Sequence, residues 1–154
     1  MLNMTRLDRH ARRTAGGFTI IEMMMVVTLV AILGSLAVST YRNYVLRAQR
    51  TEGRMALLAI QVAQEKYFLQ NNAYAQDIAT VVAAPPAGLG INLTAGGVTN
   101  GGNYTLSFTA ATANTYTLQA VATGTQVKDT AACLTFTINE QGQRTPADST
   151  GCWK

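Results

Sequence analysis

The chain has 154 residues, a length that supports one domain with an appendage rather than two full domains. Only 13% of the residues are charged and 48% are hydrophobic, which argues against a disordered polyelectrolyte. The one histidine, His10, lies near the N-terminus, and there are two cysteines. The sequence therefore lacks a His–Ser or His–Cys catalytic pair deeper in the chain, and two cysteines alone cannot build a zinc site.

The formal net charge of +4 comes mostly from a short N-terminal tail. Residues 1–17 carry four arginines against Asp8, while the rest of the chain holds eight basic and seven acidic side chains. The remainder is therefore close to neutral, and the overall charge is weak evidence for nucleic-acid binding by the folded part.

Residues 18–38 form an apolar run whose one ionisable side chain is Glu22. As a helix this run is roughly 30 Å long, enough to span the bilayer core. A buried helix of a soluble protein would need a larger core than this chain offers. A cleaved secretory signal is the other alternative, but its apolar region is usually only about 7–15 residues long. Arginines flank both ends of the run, so charge leaves its orientation open, and the cysteines favour an exported C-terminal part.

Glu22 is the unusual residue of this segment. A carboxylate in hydrocarbon costs about 2.5–3.5 kcal/mol on insertion scales, so it needs a cationic partner. The nearest candidate is the amino group that cleavage of the Gly17–Phe18 bond would create, on the same chain or on a neighbour in a bundle. The alternative is a glutamate that stays hydrated or protonated near the membrane interface, and these physical arguments leave both open.

The residues GGFTIIE at positions 16–22, followed by the apolar run, resemble the processing motif of type IV prepilins. The resemblance implies that residues 1–17 are a leader, that a prepilin peptidase cuts after Gly17, and that the same enzyme methylates the amino group of Phe18. It also implies that Glu22 pairs with a neighbouring N-terminal amine during assembly. The leader is longer than that of many major pilins, which favours a minor pilin or a pseudopilin.

The helix is predicted to continue from the membrane and assembly part, residues 18–40, through an amphipathic part, residues 41–74. It should end near Asn71-Asn72, which is a plausible helix stop. We expect one apolar stripe to form the core contact, and a basic face either to be solvated or to touch lipid headgroups and acidic neighbours. The stripe consists of Met55, Leu58, Val62 and Leu69, and the basic face of Arg42, Arg47, Arg50 and Arg54. Residues 50–74 also resemble the PilE/ComP branch of minor type IV pilins.

Residues 75–103 are predicted to be a connector. Pro85-Pro86 and six glycines between Gly88 and Gly102 are typical of loops and turns. Ile78, Val81 and Val82 suit a short helical turn. The paired glycines lack the strand–loop–helix order of a phosphate-binding loop, so we expect a surface connector.

Residues 104–154 have the period-two pattern of strands, with alternating apolar and polar residues around 104–109, 116–121 and 134–138. Three or four short strands should form an antiparallel meander whose apolar face covers the amphipathic helix. The predicted fold class is α+β and pilin-like: a long N-terminal helix, with a membrane half and an amphipathic half, packed on a small antiparallel sheet.

Cys133 and Cys152 lie in this last part. A disulfide between them would close a loop of about 20 residues and stabilise the fold by roughly 3 kcal/mol in the loop-entropy model. Two free thiols are the alternative. Type IV pilins commonly close a C-terminal loop in this way, so the resemblance implies the disulfide. Trp153 is expected to pack on the core, although an exposed tryptophan can also stack a nucleobase.

The resemblance implies a structural subunit of a type IV pilus, most similar to PilE/ComP-type minor pilins, and not an enzyme. No catalytic residues, cofactor or metal site are expected. The implied partners are other pilin subunits through the N-terminal helix, the prepilin peptidase and methyltransferase, the inner membrane and the pilus assembly platform. The implied location is the inner membrane and then the pilus.

Two other functions remain open. The first is a pilin-like receptor for DNA uptake, for which the basic residues after Lys66 are few: Lys128, Arg144 and Lys154. The second is a pseudopilin of a type II secretion system. Such pseudopilins often carry a calcium loop and lack this disulfide, which favours the pilus.

Overall fold

The computed structural model describes residues 17–153, and the chain divides into two units at residue 39. The expectations for His10 and for nearly all of the leader therefore lie outside the described residues. Helix α1 (Ile20–Asn71) supplies its first part to the N-terminal unit and the rest to the C-terminal unit, residues 40–154, which we call the head. Among the described helices, α1 alone is long and apolar enough to cross a membrane.

The sheet of the head has four strands: β1 (Tyr104–Ala111), β2 (Tyr116–Ala122), β3 (Thr135–Asn139) and β4 (Arg144–Thr145). Each strand pairs antiparallel with the next one along the chain. Buried and half-buried residues alternate along β2 and β3, because successive side chains of a strand point to opposite faces. The predicted antiparallel meander and the α+β fold class are confirmed.

The core of the head lies between α1 and one face of the sheet. Leu57 and Ile60 of α1 are fully buried in one cluster with Leu118, Phe136 and Ile138. Burying a leucine or isoleucine side chain contributes about 1.5–3 kcal/mol. These two residues therefore fix which side of α1 faces the sheet.

The prediction of which stripe of α1 forms the core contact is wrong. Met55, Val62 and Leu69 are 60%, 72% and 86% exposed, and Leu58 is only half-buried. The buried face is displaced around the helix and consists of Arg50, Gly53, Leu57, Ile60 and Gln64. The buried set has alternating spacings of three and four residues, and the exposed set has spacings of three, four and seven, so helical periodicity fits either one. Packing against the sheet selects the face that contains a glycine and two polar side chains.

Gly53 allows α1 to approach the sheet closely. A Cβ atom at this position would lie 2.8 Å from Cγ of Tyr104 and 3.0 Å from Cδ2 of the same ring. The fully buried Tyr104 ring occupies the space where any other residue would place its side chain. A glycine inside a helix costs about 0.5–1 kcal/mol relative to alanine, and here that cost is offset by the tyrosine packing.

The connector begins where the sequence predicts the end of the helix. Asn72 has a left-handed φ of 53°, and its N–H donates to the carbonyl of Phe68 at 2.8 Å. A short helix, α2 (Ile78–Val82), follows, and the Asp77 carboxylate caps it by accepting from the Thr80 N–H at 2.6 Å. Val81 of α2 is fully buried, so the predicted short helical turn is confirmed.

Candidate functional site

The predicted processing and assembly residues lie at the start of the described chain. Gly17 and Phe18 precede α1, and Phe18 is 78% exposed. Thr19 stands directly before the helix, and its Oγ1 accepts a hydrogen bond from the Glu22 N–H at 3.3 Å. The spacing Thr19–Glu22 is that of a capping box, which favours a helix start at this point.

Glu22 occupies the first turn of α1, where a carboxylate interacts favourably with the helix dipole. Within residues 17–153 its carboxylate has no ion-pair partner. The large apolar side chains around it are also exposed, from 49% at Val26 to 83% at Ile20. This segment thus presents an apolar surface with one carboxylate near its N-terminal end, and that surface requires lipid or other helices to cover it.

The head contains an ion pair that the sequence analysis missed. The Arg50 guanidinium binds the Asp129 carboxylate through two hydrogen bonds of 2.6 Å, and Nη2 also donates to Thr130 Oγ1 at 3.3 Å. The two side chains are only 11% and 4% exposed. Arg50, expected on a solvated or headgroup-facing surface, is instead buried between α1 and the segment after β2. Arg50 lies seven residues before Leu57 and therefore on the same face of α1. This spacing was the signal in the sequence that could have indicated its burial.

Gln126 joins this ion pair to the rest of the head. Its side chain is fully buried, and the two N–H groups of Nε2 are shared among three oxygen atoms: the Leu46 carbonyl at 3.1 Å, the Tyr104 hydroxyl at 3.0 Å and Asp129 Oδ2 at 3.0 Å. One amide therefore links α1, β1 and the 3₁₀ turn Gly124–Lys128. This buried polar network fixes the position of the turn against α1.

The electrostatics of the network follow from its contacts. The hydrogen bond to Asp129 raises the pKa of the Arg50 guanidinium, although burial opposes this change. Burial alone would raise the pKa of the Asp129 carboxyl, but the hydrogen bonds from Arg50 and from the Thr130 N–H outweigh it and lower that pKa. Burial also raises the pKa of Tyr104 to about 12. Asp129 and Arg50 are therefore both charged at neutral pH.

Glu52 fixes the loop before β1. Its Oε1 accepts from the Gly101 N–H at 2.7 Å, and its Oε2 accepts from Asn103 Nδ2 at 2.5 Å. Burial raises the pKa of this carboxyl, but hydrogen bonds from Thr99, Asn103 and Gly101 lower it overall. A Cβ atom at Gly101 would lie 2.5 Å from the carboxylate, which explains a glycine at this point of the loop.

Gln64 fixes the chain where it returns after α1. The fully buried amide donates from Nε2 to the Ala75 carbonyl and accepts at Oε1 from the Ala75 N–H, both at 2.8 Å. The side chain thus makes with the backbone of Ala75 the pair of hydrogen bonds that a neighbouring strand would otherwise make. Both backbone groups would lose their partner if this amide were removed.

The variant Gln64→Leu is therefore expected to destabilise the head by about 2–4 kcal/mol, because it leaves a buried N–H and a buried C=O unsatisfied. Urea unfolding of the full chain in detergent, followed by Trp153 fluorescence, measures this loss. Gln70→Leu, at an exposed position of the same helix, is the control and should change stability by less than about 0.5 kcal/mol. Equal effects of the two variants would contradict the role of the Gln64 amide.

Cys133 and Cys152 form a disulfide, and both are buried. Next to it, the Trp153 ring packs edge-on against Phe136 with centroids 5.3 Å apart. The Trp153 Nε1–H donates to the Thr145 carbonyl at 3.0 Å. The disulfide predicted from the two cysteines is confirmed, and Trp153 packs on the core as expected. One face of the ring remains available to the Arg144 guanidinium, whose Cζ is 5.2 Å from the ring centroid.

The comparison with known protein families covers most of the head. A family model described as "Type IV minor pilin ComP, DNA uptake sequence receptor" matches residues 39–137, which is more than half of the chain. The chain belongs to the type IV minor pilin family. A second model, described as "Prokaryotic N-terminal methylation motif", matches residues 12–38 of this pilin. The resemblance to type IV pilins that residues 16–22 carry is thereby confirmed.

Curated relatives are pilins as well. The type IV major pilin protein PilA of Myxococcus xanthus is 31% identical over 83 residues, which are 54% of this chain and 37% of the relative. The type IV major pilin protein PilE1 of Neisseria gonorrhoeae is 33% identical over 72 residues, or 46% of this chain and 44% of the relative. The aligned segment thus spans less than half of each relative.

Two solved pilin structures are similar to this pilin. A type IV pilin from Shewanella oneidensis has a TM-score of 0.47 and 22% identity, and the match covers 71% of this chain and 98% of that one. The non-core minor pilin PilV of Neisseria meningitidis has a TM-score of 0.44 and 17% identity, with 67% and 87% covered.

Proposed function

We propose that this minor pilin is inserted in the inner membrane through residues 18–40, cut after Gly17, methylated on the amino group of Phe18, and then incorporated into a type IV pilus. The exposed apolar segment with Glu22 as its one carboxylate carries the proposal. In a bundle of such segments, the amine of one processed subunit neutralises the carboxylate of another. The pilus assembly platform is the partner that supplies the subunit to the filament, and no catalytic role is proposed.

Mass spectrometry of sheared surface filaments tests this proposal, with the N-terminal peptide quantified. A small fraction of subunits beginning at methylated Phe18 is the expected result for a processed minor pilin. A filament fraction that lacks the chain, or a chain that keeps residues 1–17, would contradict it. The curated relatives named above are pilus proteins, which favours this assignment over a secretion pseudopilin.

The variant Glu22→Val should insert in the membrane normally but enter filaments about tenfold less, since a tenfold change corresponds to about 1.4 kcal/mol and a buried charged hydrogen bond is worth at least that. The ratio of variant to wild type in filaments, divided by the ratio in membranes, measures the effect. Asp148→Ala removes an exposed carboxylate of the head and should leave the ratio unchanged. Unchanged incorporation of Glu22→Val would refute the assembly role.

A second candidate function is DNA binding by the head, because the matching family is described as a DNA uptake sequence receptor. The exposed Arg144 beside the half-buried Trp153 combines a phosphate-binding cation with a ring on which a base can stack. Retardation of duplex DNA by the full chain in detergent, weakening with salt and with Arg144→Gln, would support this candidate. A lack of binding at low salt would exclude it.

A further inference from the structure

A groove on the head has no role in the functions discussed so far. It lies between the first turns of α1 in the head and the 3₁₀ turn Gly124–Lys128, and its volume is about 200 Å³. At about 30 Å³ for each water molecule, this is room for a phosphate group together with a few water molecules. Its polar lining consists of Tyr41, Arg42, Gln49, Thr125 and Lys128.

The charge of the groove favours an anion. Two of its lining residues, Arg42 and Lys128, are cationic, and none is acidic. Within residues 17–153, neither cation takes part in an ion pair. The carboxylate nearest in sequence, Asp129, is already bound by Arg50 and Gln126. The two cations of the groove are therefore available to an external anion.

The groove also has an apolar wall. Val45 and Leu46 line it beside the two cations. A ligand that combines an anionic phosphate with an apolar part matches this set of side chains.

The position of the groove along the chain identifies the source of such a ligand. Arg42 comes one helical turn after Val38, the last residue of the apolar run, and Tyr41 and Tyr44 beside it are 67% and 70% exposed. Exposed tyrosines after a membrane span are typical of the lipid–water interface. Membrane proteins usually concentrate lysine and arginine on the cytoplasmic side, so cations close to the membrane on the exported side call for an explanation. The ion pair with Asp129 explains the presence of Arg50 on this side. Within residues 17–153, no ion pair explains the presence of Arg42 or Lys128.

We propose that this groove binds the headgroup of an anionic phospholipid in the leaflet from which the head emerges. The phosphate of a lipid such as phosphatidylglycerol would lie between Arg42 and Lys128, and the apolar part next to it would contact Val45 and Leu46. The proposal rests on the membrane-inserted state proposed above. It assigns the groove to the stage before the subunit leaves the membrane.

The test uses the full chain, reconstituted in vesicles of phosphatidylcholine and phosphatidylglycerol, extracted in mild detergent and analysed by native mass spectrometry. We expect one retained phosphatidylglycerol per chain. The double variant Arg42→Gln/Lys128→Gln should reduce retention by about 30-fold, the effect of removing two cations at a membrane surface. Arg47→Gln/Lys66→Gln makes the same change in net charge at exposed positions outside the groove and should retain the lipid as the wild type does.

Two further readouts separate the possible failures. Resistance to carbonate extraction reports membrane insertion, and Trp153 fluorescence in urea reports folding of the head, which neither double variant should change. If the inserted and folded wild type retains phosphatidylcholine as well as it retains phosphatidylglycerol, the headgroup site alone is overturned. The same conclusion follows if both double variants lose phosphatidylglycerol to the same extent. A chain that does not insert would overturn both this site and the proposed membrane anchoring.

Discussion

Replacing Arg50 by methionine should lower the free energy of unfolding of the head by about 3–5 kcal/mol, because it leaves the buried Asp129 carboxylate without its counter-charge. The effect is large since the two side chains are 11% and 4% exposed and share hydrogen bonds with Gln126 and Thr130. Urea unfolding of the full chain in detergent measures it. Trp153 is the one tryptophan and packs on the core residue Phe136, so its fluorescence reports on the head.

Arg47→Met is the matched control for this variant. Arg47 lies about one turn earlier on the same helix and is exposed, so its replacement should change stability by less than about 0.5 kcal/mol. Similar losses from the two variants would mean that the general charge of α1 matters, and not the buried pair.

The pH dependence of stability provides an independent check of the same pair. The pKa of Asp129 is lowered in the folded head, so its contribution is fully present above its unfolded pKa of about 3.9 and is lost as the pH falls through the lower folded pKa. In Arg50→Met, burial raises the pKa of Asp129, and protonation relieves the unpaired charge. The stability difference between wild type and variant should therefore begin to shrink above about pH 4, as the pH falls through the raised pKa of the variant, and shrink further below about pH 4, where the wild type loses its ion pair. A difference that stays constant with pH would contradict the ion-pair explanation.

The second large effect concerns the disulfide. The double variant Cys133→Ser/Cys152→Ser should destabilise the head by about 3 kcal/mol, because it frees a loop closed over a sequence separation of 19 residues in the unfolded chain. Burial of both sulfur atoms among core residues adds the cost of placing hydroxyl groups there. Urea unfolding followed by near-ultraviolet circular dichroism measures the loss.

Reduction of the wild type with dithiothreitol is the control for the serine substitutions. It opens the same loop without introducing hydroxyl groups into the core. Most of the destabilisation should therefore appear on reduction alone. An unchanged unfolding midpoint after complete reduction would show that the loop closure contributes little to stability.

Much of this pilin could be predicted from local sequence. The motif at residues 16–22 indicated the family, and the apolar run at residues 18–38 indicated a helix long and apolar enough to cross a membrane. Period-two alternation indicated the strands, and Asn71-Asn72 indicated the end of α1. These features depend on side chains close together in the chain, whose chemistry acts on their own backbone. They can therefore be read without knowing the rest of the fold.

Candidate site residues could be proposed from the sequence only where one segment contains all of the chemistry. Glu22 was selected because it is the single carboxylate in an apolar run, and its assembly role stays a prediction. The roles of Arg50 and Gln126 were missed, since each depends on a partner about 80 positions away in the sequence. The groove between Arg42 and Lys128 was missed for the same reason. Nothing local to either residue indicates that the 3₁₀ turn lies beside α1.

The sequence by itself therefore determined the family, the apolar first part of α1, the meander and the pair of cysteines that form the disulfide. The tertiary structure alone decided which side of α1 is buried. Two faces of that helix have the same period, and the one with Leu57, Ile60 and Gly53 packs on the sheet while Met55, Val62 and Leu69 stay exposed. The physical reason is that helical periodicity only requires apolar residues to share a face. The shape of the partner surface, here the Tyr104 ring against Gly53, selects which face is buried.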